Sequence, residues 1–247
     1  MRDSAANSAN KDSPVRKIDP TSVKTDFIDQ VQGIRTFYAA GLNGLPNKSD
    51  QSTLSEHMLM AAAVSWEGFV SDMFIAYMNR NPSQLKIHLQ NSFDEQLRNS
   101  GKPKALHDRF GRITFPAHLS KADVQSLANP SGNNITYSNY ALLKEGAVRL
   151  LSPDHAEKFT KISSKSSATV DAMISIRNHI AHRSERSGKA MNHALSAAAL
   201  HSTGLKLGVN KPANVGAWLK AKAKGKADSR LEIVLTTLDS IANTFKN

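Results

Sequence analysis

The run Ser175-Ile176-Arg177-Asn178-His179-Ile180-Ala181-His182-Arg183 gathers the residue types that can move a proton beside a phosphate. An imidazole exchanges its proton near neutral pH, so His182 can act as a general base or a general acid. A guanidinium offers a planar fork of donors, and Arg177 could stabilise charge developing on a phosphate. Asn178 could hold the same phosphate or orient His182. His179 is a second imidazole that could take the working role instead.

The placement of Arg177 is unusual. It lies seven residues after Val170 and four after Met173, on the apolar stripe of its own helix. A guanidinium there is costly unless a polar or anionic group meets it. Glu67 and Asp72, on an earlier helix, are candidate accessory partners. Arg177 and His182 are five residues apart, which on an ideal helix separates them by about 140°. They can flank one cleft but cannot stack on one face. If they act together a second surface must complete the site, and the natural one is the same helix of a symmetry-related copy. The structural alternatives stay open: Arg177 could bind carbonyls or an acid of another helix, Asn178 could be a plain surface residue, and His182 could favour the helix C-terminus through its dipole.

Arg177-x4-His182, with Asn178 directly after the arginine, resembles the signature of HEPN domains. The segment Ala62-Ala63-Val64-Ser65-Trp66-Glu67-Gly68-Phe69-Val70-Ser71-Asp72-Met73-Phe74 is similar to their long core helix. The resemblance covers roughly residues 52–183 plus the last helix by architecture, and a short segment by motif. It implies a HEPN-like helical bundle and metal-independent RNA cleavage at a composite homodimer site, in the manner of a toxin or phage-defence effector that an antitoxin could restrain. His182 would deprotonate a ribose 2′-OH or protonate the leaving 5′-oxygen, and its symmetry mate would take the other role. The product would be a 2′,3′-cyclic phosphate. The alternative is a non-catalytic HEPN-like module that binds RNA, a nucleotide or a protein.

Composition fits an RNA partner without proving one. The net charge is +11, which favours polyanions through counterion release and steering. Between Arg177 and Lys226 the only acid is Glu185. Arg183, Arg186, Lys189, Lys220, Lys222 and Lys224 are therefore candidate RNA contacts, the bland reading being a solvated loop. There is no cysteine, so thiol chemistry is excluded and a reducing cytoplasm is expected. No His-Glu-x-x-His, P-loop or Gly-x-Ser-x-Gly pattern occurs, and neither a metal nor a cofactor is expected. The apolar run Met58–Val64 is too short to span a bilayer, and no membrane partner is expected.

The elements that must position these residues read as all-α. Residues 1–20 look disordered, and residues 21–247 look like one helical domain. It carries an insertion at about 101–135 and a basic segment at about 184–228, a C-terminal extension only partly helical. A first helix is predicted from about Ser22 to Ala40, stopped by Gly41, with a loop from Leu42 to Gln51. Thr53-x-x-Glu56 predicts a capping box for a long central helix ending at Asn81-Pro82. A further helix should run on to Gly101. Residues 101–119 read as loop, and Ser120-x-x-Asp123 opens a short helix ending near Asn129. Tyr140–Leu151 and Pro153–Phe159 follow. Ser163–Ser167 starts the motif helix, whose buried stripe is Val170, Met173, Ile174, Ile180 and Ala181. The last helix, about 229–245, has apolar residues at i, i+3, i+4 and i+7.

Overall fold

The computed structural model describes residues 17–101, 105, 108–109, 111–208 and 212–245. The fold is all-α. Among the described residues there are ten α-helices and one short 3₁₀ turn, and the only extended pairing is an isolated antiparallel bridge, Lys222 with Ser229.

α1 (Pro20–Gly44) and α2 (Lys48–Arg80) form a long hairpin. Asp19 caps α1, accepting from the Thr21 amide, and Pro20 occupies its first turn. The chain just before it docks on the end of α2: the Ile18 amide donates to Asn79 Oδ1 at 3.0 Å. The expected disorder of residues 1–20 therefore does not extend to 17–20, and residues 1–16 lie outside the described residues. Gly41 does not stop α1. A Cβ there would meet Leu54 Cδ2 at 2.4 Å, so this glycine lets α2 pack close against an uninterrupted helix.

α2 begins five residues earlier than Thr53, after the cap residue Asn47, and no capping box forms. Tertiary contacts override the local signal. Ser55 is buried against the Tyr38 hydroxyl at 3.0 Å, and Gln51 Nε2 donates to the carbonyls of Leu42 and Leu45, closing the end of α1. The predicted ten-residue loop shrinks accordingly. α2 is also long and apolar enough, by length and composition, to cross a membrane. Counting uninterrupted apolar residues missed this, because a longer window tolerates Glu67. In the fold Leu59, Trp66, Phe69, Met73 and Phe74 of α2 are buried.

α3 (Ser83–Asn99) and α4 (Lys121–Ala128) follow, the latter with the expected capping box between Ser120 and Asp123. The segment around α4 is tied to the centre: Leu119 and Val124 are buried, Asn79 Nδ2 donates to the Leu119 carbonyl at 2.9 Å, and the Ile135 amide donates to Ser71 Oγ at 3.1 Å. α5 (Tyr140–Leu150), α6 (Pro153–Thr160) and α7 (Ser164–His182) come next. Asp171 of α7 accepts from the Tyr140 amide at 2.6 Å, satisfying a free donor at the start of α5.

The segment after α7 is not a peripheral extension. α8 (Glu185–Leu195) lies against α7, and α9 (Val215–Lys220) lies against α2. Met191, Leu195, Leu200, Leu205, Val215 and Leu219 join the same core as α2 and α7. α10 (Arg230–Thr244) closes the bundle against α1, α2 and α7. Its buried residues Leu231, Val234, Leu235, Leu238, Ile241 and Ala242 are those its periodicity predicts.

Candidate functional site

α7 starts where Ser163 accepts from the Ser166 amide, and ends at Arg183, which adopts φ 49° in the left-handed region. Its buried stripe is Thr169, Val170, Ala172, Met173, Ile174 and Ile176. Ile180 is half-buried and Ala181 is exposed, contrary to the predicted stripe. The helix leaves the core in its last turn, so its end projects towards solvent.

Arg177 sits at that exit. Nη2 lies 3.2 Å from Glu67 Oε1 and donates to Oε2 at 3.3 Å, while Nη1 donates to Asn178 Oδ1 at 2.9 Å. Its Nε is buried without a hydrogen-bond partner. The guanidinium thus has its anion, supplied by the central helix, which answers the cost of placing it on an apolar stripe.

Six residues on, the Arg183 guanidinium pairs with Glu56 of α2. The two contacts, Arg177 with Glu67 and Arg183 with Glu56, run in opposite sequence directions, so α7 is antiparallel to α2. Glu56 and Glu67 are eleven residues apart, which places them within about 20° on one face of α2 and roughly 16 Å apart along its axis. Glu56 also accepts from the Gly216 amide at 3.1 Å. One carboxylate therefore joins the end of the motif helix, the central helix and α9. Sequence reasoning treated Glu56 as a capping residue and missed this role; its eleven-residue spacing from Glu67 was the available signal.

The two histidines part company. His179 is half-buried, with Nδ1 3.1 Å from Ser187 Oγ at the start of α8. His182 is exposed, and among the described residues it forms no hydrogen bond or ion pair. Of the two, His182 is the one open to a ligand. Asp72 is not brought to Arg177: it lies 140° around α2 from Glu67, at about 100° per residue, and lines a cavity with Val23, Asp26 and Gln30 of α1. The accessory role considered for Asp72 at the motif is thereby corrected.

The basic candidates divide as well. Lys220 Nζ is committed to the Lys48 carbonyl at 2.9 Å and to Gln51, and Lys189 pairs with Glu185. Arg183 is held by Glu56. Arg186, Lys222 and Lys224 are exposed and carry no side-chain bond among the described residues. No group of three His, Asp or Glu side chains that could hold a metal ion occurs among the described residues.

No family model, curated protein or solved structure matches the chain.

Proposed function

We propose that the chain is a HEPN-like, metal-independent endoribonuclease that works as a homodimer in the cytoplasm, as a toxin or phage-defence effector. The observation that carries this reading is the division of labour at the end of α7. Arg177 is fixed by Glu67 and Asn178, and His182, one and a half turns further on, stands unpartnered in solvent. An anchored cation and an accessible imidazole are what phosphodiester cleavage by 2′-OH attack requires. The 140° between them calls for a second copy, whose His182 would supply the other proton transfer. Asn178 orients the guanidinium. Arg186, Lys222 and Lys224 would draw in the RNA backbone.

The end groups of the products test this. Full-length protein incubated with RNA in EDTA should leave 2′,3′-cyclic phosphates, and should leave a matched strand of 2′-deoxynucleotides intact. Cleavage of both strands, or loss of cleavage in EDTA, would overturn the reading.

A second reading has its own observation. Two of the guanidinium nitrogens of Arg177 are already occupied by Glu67 and Asn178, as in a structural clamp. It makes the chain a non-catalytic module that binds RNA, a nucleotide or a protein such as an antitoxin. RNA retained without new ends would favour it.

A further inference from the structure

A cleft further along α2, beside Ser71, Asp72 and Ile75, has no part in the proposed chemistry. It has a volume of about 320 Å³ and is bounded by α2, α4 and the loop 129–135. A second cavity, about 290 Å³, lies between α1 and α2. The two share Asp72 and Asn134.

The walls and the rim of the first cleft differ in kind. Ile75, Pro130 and Ile135 give it apolar surfaces. Asp72, Gln125 and Asn134 bring one carboxylate and two amides to the same space. Among the described residues Asp72 accepts no hydrogen bond. Partial removal from water pushes its pKa above the ordinary 3.8; the charge of Lys121 opposes this, and that of Asp26 adds to it. A carboxylate in that setting gains from a ligand that brings donors to it.

A planar ring with apolar faces and a donor-rich edge fits these walls. Among the four RNA bases, guanine alone presents two adjacent donors on its Watson–Crick edge, the N1–H and the N2 amino group. Adenine and cytosine each place an acceptor next to their amino donor, and uracil flanks its single N–H with two carbonyls. A carboxylate is acceptor-only, so it rewards the guanine edge and rejects an unprotonated ring nitrogen. An amide such as Gln125 or Asn134 can donate to the guanine O6.

We infer that this cleft is a base-recognition subsite for an unpaired guanine, with Asp72 accepting from N1–H and N2–H and the amides of Gln125 and Asn134 answering O6. The inference rests on the reading of the chain as an RNA-acting protein and adds a base preference to it. Gly68 and the exposed Val64 of α2 line the neighbouring cavity on the side towards Glu67, so a strand leaving the cleft can cross this open strip of α2 towards the motif.

The test uses full-length protein and the four free nucleosides, followed by backbone amide shifts. Guanosine should move the resonances of Asp72, Gln125 and Asn134 and bind at least tenfold more tightly than adenosine, cytidine or uridine. Asp72→Asn, an isosteric change at an exposed position, should weaken guanosine by roughly tenfold or more, and Gln125→Ala should weaken it in the same direction. Equal binding of all four nucleosides overturns the subsite. So does guanosine binding that Asp72→Asn leaves unchanged, or a cleft that takes a diamine and no nucleoside. The titration does not depend on cleavage. Guanosine selectivity with no cleaved RNA would count against the nuclease and leave the subsite standing.

Discussion

Arg177 of α7 reaches across to Glu67 of α2, with Nη2 3.2 Å from the carboxylate. Both side chains are less than one-third exposed, at 29% and 23%. The pair sits where α7 leaves the core, so it fixes the direction in which the helix end projects. It also sets the height of His182 above the central helix, because the four intervening residues are continuous helix.

The coupling between these two residues is measurable. A double-mutant cycle of Arg177→Ala and Glu67→Ala, followed by urea unfolding, should return an interaction of about 1 kcal/mol, as expected for a partly screened pair. Strict additivity would mean that the contact does not hold the helix end.

Arg183 closes α7 in a conformation that costs an L-residue roughly 1–2 kcal/mol and a glycine almost nothing. Its pairing with Glu56 is largely exposed on the arginine side, at 57%, and offsets little of this. Arg183→Gly should therefore be more stable than Arg183→Ala by about 1 kcal/mol. Equal melting temperatures of the two variants would contradict the left-handed cap.

Gly216 lets α9 lie directly on α2. A Cβ at this position would stand 2.1 Å from the Ser52 carbonyl oxygen. Backbone cannot retreat as a flexible side chain can, so Gly216→Ala should destabilise the protein by about 1–3 kcal/mol. Thermal unfolding checks this. An unchanged midpoint would show that α9 does not pack there.

His155 stacks on Tyr77 with ring centroids 4.2 Å apart, and Nδ1 lies 3.1 Å from Ser152 Oγ. Burial, then the charge of Lys158, lowers its pKa below the ordinary 6.5. The charge of Asp154 opposes this lowering, and the charge of Arg80 adds to it. The folded state favours the neutral ring, so the unfolded chain binds the extra proton first as pH falls. This contribution is complete above pH 6.5 and is lost as pH drops below that value. His155→Phe keeps the stack and should flatten the acid limb of the stability–pH curve. A variant curve parallel to that of the wild type would show that His155 is not its source.

The helices whose apolar residues keep one period were legible in the sequence. α10 shows this in Leu231, Val234, Leu235 and Leu238, and α4 announces itself by Ser120 and Asp123, which cap it as the spacing implies. The region after α7 was read as an extension because its core residues come singly. Met191, Leu195, Leu200, Leu205, Val215 and Leu219 follow no single helical repeat, yet all are buried. Their burial depends on the surfaces of α2 and α7, which no local window contains. At the site, the apolar register of Arg177 already demanded an anion, and Glu67 was among the candidates. Asp72 was the wrong companion because five residues along a helix turn a side chain away. Glu56 went unrecognised because both of its partners, Arg183 and Gly216, are more than a hundred residues distant in sequence.

The most direct test of the central claim is the rate at which one RNA is cut in EDTA by the wild type and by His182→Ala, with Arg177→Ala alongside. If an imidazole and a guanidinium at the end of α7 act on the same phosphodiester, His182→Ala should lose activity by about 10²–10⁴-fold. Arg177→Ala should lose it comparably, and both variants should keep their folded spectra. Cleavage by His182→Ala within a few-fold of wild type would contradict the account.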